Sequence, residues 1–185
     1  MTDELVAAIR DTPEILPYID IPVQHCNARI LKAMHRSGST EELSKLFATL
    51  RSQIPGMVIR TTSLVGFPGE TDEEAEEMLA FMDREGFDYT SVFPYSPEEG
   101  TRAAKMEGQV PEDIKLERTQ AAMDLAESLG FAATAARVGE VAEVIVDGIE
   151  ETDEGPELIG HAWFQAPTPM ARSISRCPRL PWAIF

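Results

Sequence analysis

Two cysteines, Cys26 and Cys177, and three histidines are all that 185 residues offer as soft metal ligands. Two thiols exclude a disulfide framework, and they exclude a structural zinc site or an iron–sulfur cluster held by this chain alone. No apolar run approaches the roughly 18 residues that a membrane-spanning helix needs, and Met-Thr-Asp-Glu is no signal peptide, so the expectation is a cytosolic protein with no membrane contact. Basic residues are scarce as well: 16 Lys and Arg face 32 Asp and Glu, a net charge of −16. Nucleic-acid binders usually carry a basic face that displaces counterions from phosphates. This balance therefore favours a basic protein partner over nucleic acid, with a merely solvated acidic surface as the plainer alternative.

What is present is a run of alternating strand and helix signals. Glu4 to Ile9 reads as a short helix, and Tyr18 to Val23 as an apolar strand broken by Pro22. Asn27 to Met34 gives a helical turn or two. Thr40 opens an amphipathic helix with Leu43, Leu46, Phe47 and Leu50 on one face, which Pro55 and Gly56 end. Val58 to Val65 is β-branched or aliphatic without an alternating polar face, as in a parallel strand covered on both sides. A helix follows from Thr71 to about Glu85, with Ala75, Met78, Leu79 and Met82 as its apolar face and Gly86 as its stop. Tyr89 to Tyr95 is a third strand, and Pro111 to Arg137 a long helix. This order predicts an α/β fold with a parallel sheet whose edges are left open.

Between the second strand and its helix lies Val65-Gly-Phe-Pro-Gly-Glu-Thr71. Gly66 and Gly69 permit left-handed backbone, Pro68 fixes one φ, and Thr71 followed by Asp72, Glu73 and Glu74 is an N-cap with acidic residues on the helix dipole. Ligands of α/β sheets bind where strands end and helices begin, so the corner is a candidate ligand loop; a tight turn without ligand is the alternative.

A second segment begins near Gly139. Glu140 to Val146 alternates acidic and apolar residues, Asp147-Gly148 signals a turn, and Leu158 to Phe164 reads as a strand, giving a small antiparallel unit. It carries eight carboxylates between Gly139 and Gln165 and no Lys or Arg, which suits either a basic partner or solvent.

Four stretches in order resemble one family: Tyr18-Ile-Asp-Ile-Pro-Val-Gln-His25, Arg29-Ile-Leu-Lys-Ala-Met34, Arg60 to Thr71, and Tyr95-Ser-Pro-Glu-Glu-Gly-Thr101. They are similar to the methylthiotransferase branch of the radical S-adenosylmethionine (SAM) enzymes, over about Pro17 to Pro167. Asp20 and Gln24-His25 resemble the group that adds a methylthio group to an aspartate of ribosomal protein S twelve. The other group modifies an adenosine of transfer RNA. The acidic β segment resembles a TRAM domain, to which a basic ribosomal protein would be drawn.

The resemblance implies SAM cleaved at a reduced 4Fe-4S cluster, hydrogen abstraction from the aspartate Cβ, and a second 4Fe-4S cluster concerned with sulfur. The family holds the first cluster in a Cys-x3-Cys-x2-Cys loop, which this chain lacks, so no catalytic or metal-ligating residue is assigned. The expected layout is the C-terminal half of a partial TIM-type barrel (1–137), a truncated TRAM-like barrel (138–167) and a tail (168–185). Such a piece would be inactive alone. Binding roles fall to Gln24 for the methionyl part of SAM, to Arg60 and Thr62 with the guanidinium on a carboxylate, and to Val65 and Gly66 as backbone against adenine. Phe93 and Tyr95 would wall the adenine. A strand-end hydrogen bond, a surface ion pair and plain core packing are the structural alternatives for these residues. A third reading is a non-catalytic adaptor for a basic protein.

From Thr168 the acidic residues vanish and Arg172, Arg176 and Arg179 appear, with Pro169, Pro178 and Pro181 expected to break any strand. A family member would continue with an Asp-x-Asp-Gly turn and a further strand. The expectation is a shift of reading frame near Thr168, which would leave the small barrel unclosed.

Overall fold

A computed structural model describes residues 1–152 and 155–165, together with the backbone of 173–174. The chain divides into two compact units, Met1–Val138 and Gly139–Phe185.

The first unit holds α1 (Asp3–Asp11), β1 (Tyr18–Asp20), α2 (Ala28–Ala33), α3 (Thr40–Gln53), β2 (Val58–Val65), α4 (Asp72–Glu85), β3 (Tyr89–Pro94), a single 3-10 turn (Ala103–Lys105) and α5 (Glu112–Ala136). The sheet order is β1-β2-β3, parallel throughout, as expected for strands joined by helical crossovers. Caps stand where local chemistry puts them. Thr71 and Glu74 form a reciprocal capping box on α4, and Gly86 ends that helix at φ 56°. Asn27 accepts from the Arg29 and Ile30 amides at the start of α2.

The core lies between the sheet and α3 and α4. Phe47 meets Phe87 edge-on at 5.0 Å and Phe81 at 6.3 Å, and all three are essentially inaccessible to solvent. Such aromatic trios contribute directional contacts beyond simple area burial. A second, smaller cluster caps the C-terminal ends of the strands: Ile30, Phe67 and Tyr95, with Leu64, Met34, Ala103 and Met106 against them.

β1 is shorter than its apolar run, since Pro22 has no amide hydrogen for the ladder. Pairing resumes at one residue, Gln24, which bridges to Ser63 with φ 68°. β2 is not covered equally on both faces: Ile59, Thr61 and Ser63 are fully buried, whereas Arg60, Thr62 and Leu64 are half-buried.

In the second unit β4 (Val144–Thr152) pairs antiparallel with β5 (Gly155–Ala162). Asp147-Gly148 is not the turn its composition suggests. The register slips between Val146 and Gly148, so the pair forms a bulge within one long strand, glycine's other common use in a sheet. Ser173–Ile174, β6, pairs with β5 in a stretch where the prolines predict no strand. The change of composition at Thr168 and the rest of the tail lie outside the described residues.

Candidate functional site

In a parallel ladder, register partners point to the same side of the sheet. Asp20 pairs with Arg60 and Arg60 with Tyr89; Thr62 pairs with Ser91 and Leu64 with Phe93. The neighbouring positions, Ile19, Ile59 and Val92, belong to the core cluster under the helices. The first set therefore shares the other face. That face is open: Asp20 and Phe93 are exposed, and Arg60, Thr62, Leu64, Tyr89 and Ser91 are half-buried. It presents charge, hydroxyls and aromatic rings side by side, with Tyr18 and Tyr89 6.5 Å apart between ring centroids.

Of the residues singled out in the sequence, Arg60, Thr62 and Phe93 come together here. The Arg60 guanidinium lies 3.7 Å from the Asp20 carboxylate, an ion pair in partial contact with solvent. Gln24 stands at the mouth of the same strands, its amide donating to Thr62 O at 2.8 Å and its carbonyl accepting from Leu64 N at 2.7 Å. Its side chain is half-buried. Asp20, Tyr18, Tyr89 and Ser91 share the face and were missed; the period-two parity of three strands in register was the signal that could have found them.

Val65, Gly66 and Tyr95 stand apart from that set. Val65 is buried among the helices, and its carbonyl accepts from Tyr95 N at 2.8 Å. The Gly66 amide donates to both oxygens of Glu70, at 2.9 and 3.1 Å. Tyr95 packs edge-on against Phe67 at 5.5 Å and is 8% exposed, while Phe93 is 54% exposed on the open face, so the two rings do not line one wall. The Val65 carbonyl and the Gly66 amide are thus engaged within the protein. Phe67 and Pro68 are buried as well.

What holds the corner is a buried charge cluster that composition does not reveal. Glu70, at 1% side-chain exposure, accepts from Gly66 and from Arg118 of α5 at 2.8 Å, and Arg118 also pairs with Asp72. The His25 Nε2 lies 3.7 Å from Glu70. His25 Nδ1 accepts from Asn27 N at 3.0 Å, so the neutral ring carries its proton on Nε2, facing Glu70, where it has no hydrogen-bond partner. A cavity of about 410 Å³ opens beside them between α4 and α5, lined by Val65, Met78, Leu79, Ile114 and Arg118. Burial raises the Glu70 carboxyl above the usual carboxylate range, against its hydrogen bonds to Gly66 and Arg118. Burial also pulls the His25 imidazole down to about 4 from 6.5, outweighing the carboxylates of Glu74 and Glu77.

The pH dependence follows from these signs. Because folded His25 resists protonation, the unfolded chain takes up the proton first as pH falls. His25 then withdraws about 3 kcal/mol of stability between pH 6.5 and 4. Glu70, whose folded pKa is raised, acts in the opposite sense: its contribution is largest at low pH and is lost as pH rises toward that pKa. Urea titrations at pH 7 and pH 5 are expected to show a smaller difference for His25→Gln than for the unaltered chain. Equal differences would remove His25 from this role.

Cys26 is buried and its thiol is pushed up to about 11 by burial, which is the reverse of a metal-binding or reactive thiolate. Among the described residues no group of three or more His, Cys, Asp and Glu could hold a metal ion. No helix there is long and apolar enough to cross a membrane.

A parallel α/β sheet with one open polar face and helices behind the other has counterparts among known proteins. Residues 1–82 match the Radical SAM superfamily model. The solved structure of coproporphyrinogen III oxidase (HemN) from Escherichia coli, described as a radical SAM enzyme, superposes with a TM-score of 0.58. It covers 88% of this chain and 42% of that one, and at 16% identity this speaks for the fold alone.

The chain is also similar to methylthiotransferases named RimO. It is 50% identical over 148 residues to ribosomal protein uS12 methylthiotransferase RimO of Pelotomaculum thermopropionicum, covering 80% of this chain and 33% of that protein. Against RimO of Thermosynechococcus vestitus it is 41% identical over 167 residues, covering 90% and 37%. The chain thus spans about a third of the length of these curated relatives.

Proposed function

We propose that this chain furnishes the SAM-facing wall of a methylthiotransferase that modifies an aspartate of ribosomal protein uS12. The observation that carries the reading is the open face of β1, β2 and β3, in a chain half identical to a RimO protein. A SAM molecule has a zwitterionic amino-acid end and an adenine, and the face carries a matching set. Arg60 would take the carboxylate, Asp20 the ammonium group, Thr62 and Gln24 further polar atoms, and Phe93 the ring. Val65 and Gly66, whose backbone groups are engaged, would shape the end of the strand; Tyr95 would hold the loop beyond it.

When bound, SAM and the family's two 4Fe-4S clusters would supply the radical and the sulfur chemistry. The residues here fit SAM and do not fit a cluster, because the one described thiol is buried and protonated. A cluster would need thiolates that residues 1–185 do not supply, and no catalytic step is derived from this chain. The second unit, whose acidic β4–β5 pair is a TRAM-like element in this reading, offers carboxylates to a basic protein. Residues 1–137, 138–167 and 168–185 are then the barrel part, the TRAM-like part and the tail, working in the cytoplasm.

The test is to co-express the chain with a polypeptide bearing the Cys-x3-Cys-x2-Cys half of a RimO relative, under reducing anaerobic conditions with SAM, and to analyse uS12 by mass spectrometry. One added methylthio group on an aspartate is expected. Modification of a transfer RNA adenosine instead would favour the other branch. Association with uS12 without modification of either would favour the adaptor reading.

A further inference from the structure

The net charge of −16 conceals a basic hollow. From Ile21 to Thr40 the sequence contains no Asp or Glu, yet it carries Arg29, Lys32 and Arg36. α2 delivers the first two of these to a cavity of about 450 Å³, completed by His35 and, from the segment after β3, by Arg102. The walls are fixed, since Ala33 and Met34 pack with Ala103 and Met106 in the smaller apolar cluster. Arg29 is held by Glu74 and donates to Gly69 O at 2.7 Å, which neutralises one charge. Among the described residues no carboxylate pairs with Lys32 or Arg102. Arg102 Nη1 donates to His35 Nε2 at 3.0 Å, since a guanidinium has no acceptor.

We infer that this hollow binds a phosphate group of an RNA strand. Two unneutralised cations of different geometry, a planar fork and a point charge, converge beside an imidazole. That combination suits a phosphate oxygen set. The apolar floor of Ala33 and Met106 and the cavity's volume accommodate the attached sugar, which a short acidic side chain would leave unfilled. Position adds to this. α2 follows β1 and the Arg102 segment follows β3, so the hollow sits at the strand ends where α/β proteins receive ligands. Net charge argues against RNA only for the surface as a whole; contacts are made locally, and counterion release depends on the phosphates neutralised. The inference stands independently of the methylthiotransferase reading.

Anisotropy of a short labelled single-stranded RNA, titrated with the chain over a range of salt concentrations, tests it. The Lys32→Gln/Arg102→Gln variant, altered only at exposed positions, is expected to lower the salt slope by roughly 0.7. It should weaken binding roughly 5-fold at 0.1 M salt, for one phosphate contact at about 0.7. An Arg10→Gln variant on α1, remote in sequence from the hollow, should bind as the unaltered chain does. Circular dichroism should be unchanged in both. Absence of RNA binding at about 0.05 M salt, an unaffected double variant, an equal loss in Arg10→Gln, or competition by polyglutamate as effective as unlabelled RNA would each overturn the proposal.

Discussion

Glu70→Ala is expected to lower the stability of the first unit by about 3–5 kcal/mol, as read from urea unfolding, because it breaks a buried charge pair from one side only. The loss has three parts in the geometry. Arg118 keeps Asp72 but loses its buried carboxylate partner, Gly66 keeps an amide hydrogen with no acceptor, and the His25 Nε2 hydrogen faces an emptied space. Glu70→Gln retains the shape and one acceptor oxygen and is expected to lose less. A variant that removes both charges, Glu70→Met with Arg118→Leu, is expected to lose less than Glu70→Ala, since the raised pKa of Glu70 shows that its burial is itself costly. A change within about 0.5 kcal/mol for Glu70→Ala, the range typical of plain surface substitutions, would show that the cluster does not hold the corner.

Gly66→Ala is expected to cost about 2–4 kcal/mol, from strained left-handed backbone and from overpacking together. Gly66 has φ 76°, and a Cβ there would lie 2.4 Å from Lys115 Cγ. Lys115 cannot simply swing away: it is 6% exposed, its ammonium bonds Glu112 at 2.8 Å, and it stands 5.9 Å above the Tyr95 ring. Gly69→Ala is the internal comparison. Its φ of 82° carries the same backbone strain, but its nearest neighbour is the end of the Arg29 side chain at 3.7 Å, so it should lose clearly less. Equal losses at the two positions would mean that Lys115 yields freely and that only the backbone term counts.

These contrasts show where the sequence was legible. Thr71, Gly86, Asn27 and the strand–helix order reported α4, α2 and the parallel sheet, because caps and periodicity act over a few residues. Asp147-Gly148 was misread because a turn and a bulge recruit the same residue pair, and only the partner strand decides between them. Arg118 and Glu70 stand 48 residues apart and meet only once α5 crosses the corner, so no local pattern announces them. Phe93 and Tyr95 looked equivalent as alternating aromatics, yet β3 ends at Pro94 and Tyr95 turns into the smaller core. The basic hollow was invisible because composition averages over the surface what α2 concentrates.

The reading that the open face of β1, β2 and β3 receives SAM is tested most directly by the affinity of SAM for the chain co-expressed with the Cys-x3-Cys-x2-Cys half of a RimO relative. Equilibrium dialysis with labelled SAM is expected to show binding that Arg60→Ala weakens roughly 10- to 150-fold, the equivalent of about 1.5–3 kcal/mol for a hydrogen bond to a charged group. Lys45→Ala, on the outer helical layer, should leave it unchanged. SAM affinity unaltered by Arg60→Ala, in protein whose fold is intact by circular dichroism, would contradict the account.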